Sequence, residues 1–281
     1  VLSIIGISIN LIMASLALVA AIYFFRQQRE NSPFIRNVLV ISICAQVILL
    51  IFEFLSHNDF IASSSMEHFL DIKSEFTPGP LFAASQLFFI GITGIILGVR
   101  SNTFKPATRT TWILLGGIFL FLSLDEFYGF HEVISGWRII YGALAIGIAA
   151  MLITLRWRWI HGKDQLFLLI FCGGILMGLG GLTLEPFMFK ADESYDFDLI
   201  FQLQGIEETL ETAGSLAILL GFLLFAQHYL DQKRWQWFKW MSLRIILLFA
   251  VSGIGYIWVL PSVESIAATP ANIVYDDGSL R

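Results

Sequence analysis

Ten ionisable side chains fall inside or at the rim of apolar stretches of this chain. They are Glu53 and His57; Asp125, Glu126, His131 and Glu132; Glu185; and Glu207, Glu208 and Glu211. Eight of the ten are carboxylates, and an ionised group surrounded by hydrocarbon costs several kcal/mol unless it faces a partner, a cavity or a metal. Carboxylates with one or two histidines suit iron, manganese or zinc. The same groups could carry protons or cations, or pair with hydrogen-bond donors simply to fix helices together.

The two richest motifs sit in separate apolar segments. Residues 123–132 read Ser-Leu-Asp-Glu-Phe-Tyr-Gly-Phe-His-Glu. On one regular helix Asp125 and Glu132 lie about 20° apart, with Glu126 and His131 about 100° and 120° to either side. One neighbour cannot receive all four, so either protein surrounds this segment or Gly129 bends it. Residues 207–214 read Glu-Glu-Thr-Leu-Glu-Thr-Ala-Gly. Glu207, Glu208 and Glu211 share one helical stripe and repel one another, which calls for a shared cation or a retained proton.

The elements that carry these motifs are membrane helices. The composition is 57% hydrophobic and 14% charged, with a mean hydropathy of +0.76, which excludes an ordinary soluble domain. A helix needs about 20 apolar residues to cross a bilayer core. Eight such spans are predicted, over 2–25, 37–56, 81–99, 112–132, 138–155, 165–187, 203–228 and 243–260. The fold expected is an all-α polytopic bundle over 1–260, followed by a polar tail over 261–281. Thirteen of the 17 Lys and Arg residues fall in or beside the loops after odd-numbered spans, so those loops are expected to be cytoplasmic and both termini extracytoplasmic. Nineteen of the 22 acidic residues lie toward the opposite face. On this topology Asp125 lies about 10 Å below the outer surface and Glu211 about 12 Å below it, while Glu53, His57 and Glu185 end their spans nearby.

Other features have plainer readings. All eight Trp residues fall near span ends, as an aromatic belt predicts. The mixtures Arg156-Trp157-Arg158-Trp159 and Lys233-Arg234-Trp235-Gln236-Trp237 are read as interfacial anchors, not nucleic-acid contacts. Glycines 173, 174, 178, 180 and 181 suit close helix packing. Segment 57–80 suggests a surface helix capped by Ser64 and Glu67 and ended at Thr77-Pro78-Gly79-Pro80. Cys44 and Cys172 fall within spans and read as free thiols. The run over 1–25 is too long for a cleaved signal and has no charged leader.

The motif pair Ser-Leu-Asp-Glu-x4-His-Glu and Glu-Glu-x-Leu-Glu-x2-Gly resembles that of a group of uncharacterised bacterial polytopic membrane proteins in which the two motifs lie on separate spans. The resemblance implies a bacterial cytoplasmic (inner) membrane protein in which Asp125, Glu126, His131, Glu132, Glu207, Glu208 and Glu211 act as one site. It supplies no reaction. The expected function is binding of a divalent metal ion (iron, manganese or zinc) at an outward-facing carboxylate and histidine cluster, with Glu53 and His57 as a further ligand pair. A metal-dependent membrane enzyme would need an open coordination position as well. Two alternatives stand beside it: an accessory subunit of a larger membrane complex, and a proton- or cation-coupled transporter. The expected partners are the lipid bilayer and other membrane subunits on the extracytoplasmic side, with no nucleic acid.

Overall fold

Proline sets where three of the helices begin. It has no amide hydrogen to lose in a first turn, and its fixed φ already matches the helix. The computed structural model describes residues 32–57, 78–130, 134, 136–184 and 197–244. Helix α1 spans Pro33–His57, α2 Pro78–Arg100 and α3 Pro106–Tyr128. Ser32 caps α1, its hydroxyl accepting from the Ile35 amide at 3.4 Å. Helix α4, Trp137–Thr154, runs on into a π-helical turn over Leu155–Trp159, and α5, Asp164–Gly178, into a second over Leu179–Leu184. Helix α6 spans Phe197–Tyr229, and a further helix over 232–244 comes after it, capped by Asp231 through the Arg234 amide at 2.9 Å. Trp237 closes the first of two compact units and Phe238 opens the second. There is no strand among the described residues.

Among the described residues, five helices are long and apolar enough to cross a membrane: Gly79–Arg100, Pro106–Tyr128, Trp137–Trp159, Asp164–Leu182 and Gly205–Tyr229. They correspond to the expected third to seventh spans, and α1 covers the second. The expected first span and most of the eighth lie outside the described residues, as do 58–77 and the tail. Pro78-Gly79-Pro80, read from sequence as the end of a surface helix, instead forms the first turn of α2, where proline is well tolerated.

Helix α6 is largely buried among α1, α2 and α5. Glycine permits the closest approaches. A Cβ at Gly214 would stand 2.5 Å from the Gly173 carbonyl oxygen, and one at Gly173 would stand 2.6 Å from that of Gly214. Between α2 and α3, a Cβ at Gly116 would stand 2.6 Å from the Gly91 carbonyl oxygen. Of the glycines read as a packing stripe on α5, Gly173 faces α6 this way, whereas Gly174 and Gly178 meet nothing within 4 Å.

The end of the bundle near Arg100 and Arg234 is filled with aromatic rings. Trp112 and Phe119 of α3 meet Phe222 of α6 edge-on at 5.2 and 5.6 Å, and Phe167 of α5 meets Phe225 at 5.1 Å. Trp112 thus belongs to the core, fully buried, and not to an interfacial belt. Trp157, Trp237 and Trp240 are exposed as a belt requires. The acidic residues at this end are neutralised locally, Asp164 by Arg156 and Asp231 by Arg234 at 3.1 Å. The Arg100 guanidinium lies over the Trp237 ring, 5.7 Å from its centre.

Gly214→Val should therefore cost about 1–3 kcal/mol through overpacking against backbone, read as a lower unfolding midpoint of the detergent-solubilised protein. Gly174→Ala, with open space at its Cβ, should leave that midpoint unchanged or raise it slightly.

Candidate functional site

Helix α3 ends where its acidic motif begins to matter. Gly129 takes the left-handed conformation, with φ 60° and ψ 33°, and its amide closes the helix on the Asp125 carbonyl at 2.7 Å. Left-handed backbone is cheap for glycine and strained for residues with a Cβ. The expected span over 112–132 is thus cut at Tyr128. The expected alignment of Glu132 with Asp125 falls on a residue outside the described ones. Of the two arrangements that the crowded motif allowed, a break at Gly129 is present. His131 and Glu132 lie outside the described residues, as does Glu185.

Asp125 is 4% exposed. Tyr141, one turn into α4, lies near enough to Asp125 and Glu126 for both acidic groups to act on its hydroxyl. Glu126 itself is half-buried. On α6 the three glutamates are half-buried too. The Glu211 side chain lies over the π-helical turn: a Cβ at Gly180 would stand 2.8 Å from Glu211 Cγ, and one at Gly181 would collide with Glu211 Oε1. Glycine at these two positions gives the carboxylate its place.

A belt of neutral polar side chains runs just below the acids. The Gln46 amide of α1 donates to Thr212 Oγ1 at 2.7 Å, and Thr212 donates to the Glu208 carbonyl at 2.7 Å. Ser215 of α6 donates to Gln86 of α2 in a short contact. Ser123 of α3 donates to the Ala84 carbonyl of α2 at 2.7 Å. These bonds fix relative depth. Ala84 lies two residues above Gln86, and Asp125 two above Ser123, which places Asp125 about 6 Å above the Gln86–Ser215 contact. Glu211, four residues above Ser215, is also about 6 Å above it. The two motifs are level, as their sequence positions imply.

Asp125 and Glu126 attend Tyr141, whereas Glu211 attends Gly180 and Gly181. Among the described residues no three His, Cys, Asp or Glu side chains gather as a group able to hold a metal ion. Helix α1 carries the backbone of Glu53 about 10 Å, and that of His57 about 16 Å, past Gln46; their side chains lie outside the described residues. Tyr141, Gln46, Gln86 and Ser215 were not among the candidates read from sequence. The two amides had a usable signal, since a lone glutamine in an apolar run needs a partner on another helix. Tyr141 had none, because a tyrosine near a span end reads equally well as an interfacial anchor.

The family described as "Domain of unknown function (DUF8692)" matches residues 38–226, a stretch containing both acidic motifs. Neither a curated protein nor a solved structure matches the chain.

The left-handed stop after α3 can be checked by two substitutions of opposite sign. Gly129→Ala should lose about 1–2 kcal/mol. Gly117→Ala, mid-helix and with nothing within 4 Å of its Cβ, should gain about 0.5–1 kcal/mol. Unfolding midpoints that move in the same direction would contradict the assignment.

Proposed function

With the chain a member of the DUF8692 family, we propose that it is a metal-binding protein of the bacterial cytoplasmic membrane, with eight spans and both termini outside. Its site faces the extracytoplasmic side and takes iron, manganese or zinc through Asp125 and Glu126 of α3 and Glu207, Glu208 and Glu211 of α6. His131 and Glu132, which come within three residues after Gly129, complete it, and Glu53 and His57 form its rim.

The observation that carries this reading is the burial of Asp125 at the level of Glu211. A carboxylate in that setting demands compensation. Tyr141 offers a dipole, and three glutamates along a single turn of α6 add negative charge at the same depth. A divalent cation is the economical counter-charge for such a set, and carboxylate with imidazole is a donor set that iron, manganese and zinc accept. The aromatic filling between Trp112, Phe222 and Phe225 supports binding and release from one end in preference to conduction through the bundle. Helix α4 and the π-helical turn after it present Ile139, Ile146 and Trp157 outward, a face suited to lipid.

Elemental analysis of the purified full chain tests the reading, comparing the native protein with Asp125→Asn and Glu211→Gln. The native chain should hold at least one equivalent of iron, manganese or zinc, and each variant less than a tenth of it. A metal-free native protein overturns the proposal. In that event, cation- or pH-driven flux in liposomes would establish the transporter, and stoichiometric co-purification of other membrane subunits the accessory protein.

A further inference from the structure

The hairpin between α2 and α3 gathers cations that the bundle does not neutralise. Glycine lets the two helices touch there: a Cβ at Gly98 would stand 2.6 Å from the Arg109 carbonyl oxygen. That contact brings Arg100, two residues beyond Gly98, beside the start of α3, where the Arg109 amide donates to the Lys105 carbonyl at 3.0 Å. Arg234 reaches the same hairpin and donates from its guanidinium to the Arg100 carbonyl. The carboxylate nearest to these cations, Asp231, is already held by Arg234 at 3.1 Å, and Asp164 by Arg156.

Arg109 shows the imbalance most clearly. It is half-buried, and its Nε is enclosed with no hydrogen-bond partner. A guanidinium keeps its charge at any ordinary pH, and a buried charged donor left unbonded costs more than a neutral one. The start of α3 adds to the demand for an anion. Lys105, at its N-cap, makes no side-chain bond to the first-turn amides, and the positive end of the helix dipole lies there.

The surroundings choose among anions. Val99, beside Arg100, is exposed, as are Ile113, one turn after Arg109, and Leu114. Trp237 is exposed under the Arg100 guanidinium. Cations thus stand directly over bare apolar surface with an indole at the boundary, which is how a protein meets a phosphate with acyl chains beneath it. A free phosphate ion would leave that surface uncovered. We infer that the α2–α3 hairpin is a binding site for an anionic phospholipid. Arg100 and Arg109 hold its phosphodiester as planar, multidentate donors, Lys105 adds charge, and the chains lie along Val99, Ile113 and Leu114. The site is at the opposite end of α3 from Asp125 and does not depend on metal binding.

The test titrates dioleoylphosphatidylglycerol into the delipidated full chain in detergent and counts bound lipid by native mass spectrometry. Dioleoylphosphatidylcholine and inorganic phosphate form separate arms. The native chain should hold phosphatidylglycerol about tenfold more tightly than phosphatidylcholine, and millimolar inorganic phosphate should not displace it. Arg109→Gln should weaken that binding about fivefold or more. Lys163→Gln, which removes the same charge from the start of α5, should not. Arg100→Gln, with the same expected loss, decides the matter if the Arg109 variant fails to fold. Unchanged binding in a folded Arg109→Gln overturns the inference. So does phosphatidylcholine bound as tightly, which leaves only a general lipid annulus, or displacement by inorganic phosphate, which leaves a site for the free ion. Equal losses in the Arg109 and Lys163 variants overturn it as well, since they reflect net charge alone.

Discussion

Inside an apolar bundle, a polar side chain cannot turn to water when its partner slides away, so each interhelical hydrogen bond locks a register. Three such bonds set the geometry of this protein: Gln46 to Thr212, Ser215 to Gln86, and Ser123 to the Ala84 carbonyl. Each contributes modestly, on the order of 0.6–2 kcal/mol. Their effect on position is larger than their energy. A one-turn slip of α2 along α6 would break the Gln86 contact, and a slip along α3 would break that of Ser123. The common depth of Asp125 and Glu211 results from these two contacts on α2.

Above and below this belt the bundle is packed differently. On the acidic side Gly180 and Gly181 lie under Glu211, and Gly214 packs against Gly173. On the other side Trp112, Phe119, Phe167, Phe222 and Phe225 interlock. Close packing of rings excludes water, while the glycines on the acidic side leave space that the Glu211 side chain fills. The Arg-rich end neutralises its own acids through Arg156 and Arg234. The unevenly distributed charge of the chain therefore corresponds to two kinds of interior, one sealed and one polar.

Much of this architecture is legible in the sequence. Apolar runs of membrane length fix the third to seventh spans closely, because hydropathy over about twenty residues is a strong signal. Counting residues from span ends places Asp125 level with Glu211, since helical rise is nearly constant. Single residues that change the backbone are harder to read. The crowding of its motif offers Gly129 as a possible bend, but periodicity alone does not distinguish a mid-helix glycine from a left-handed stop. Trp112 reads as interfacial from its place near a span end, yet tertiary packing buries it. Tyr141 beside the acids and Gln86 in the belt below them come from helices without an acidic motif, and only the packing of those helices brings them there.

The π-helical turn at Leu179–Leu184 joins these themes. Such turns are rare and recur at functional positions. An inserted residue in the helical path rotates the downstream side chains by about 100° relative to a continuous α-helix. Here the turn presents Gly180 and Gly181 to α6 at the height of Glu211. An α-helical continuation would present other positions of Leu-Gly-Gly-Leu-Thr-Leu to that face, and a leucine there would drive the carboxylate out. Irregular backbone and paired glycines therefore do one thing together. They let a charged side chain lie against a neighbouring helix in a bundle whose other contacts at that depth are already fixed by the polar belt.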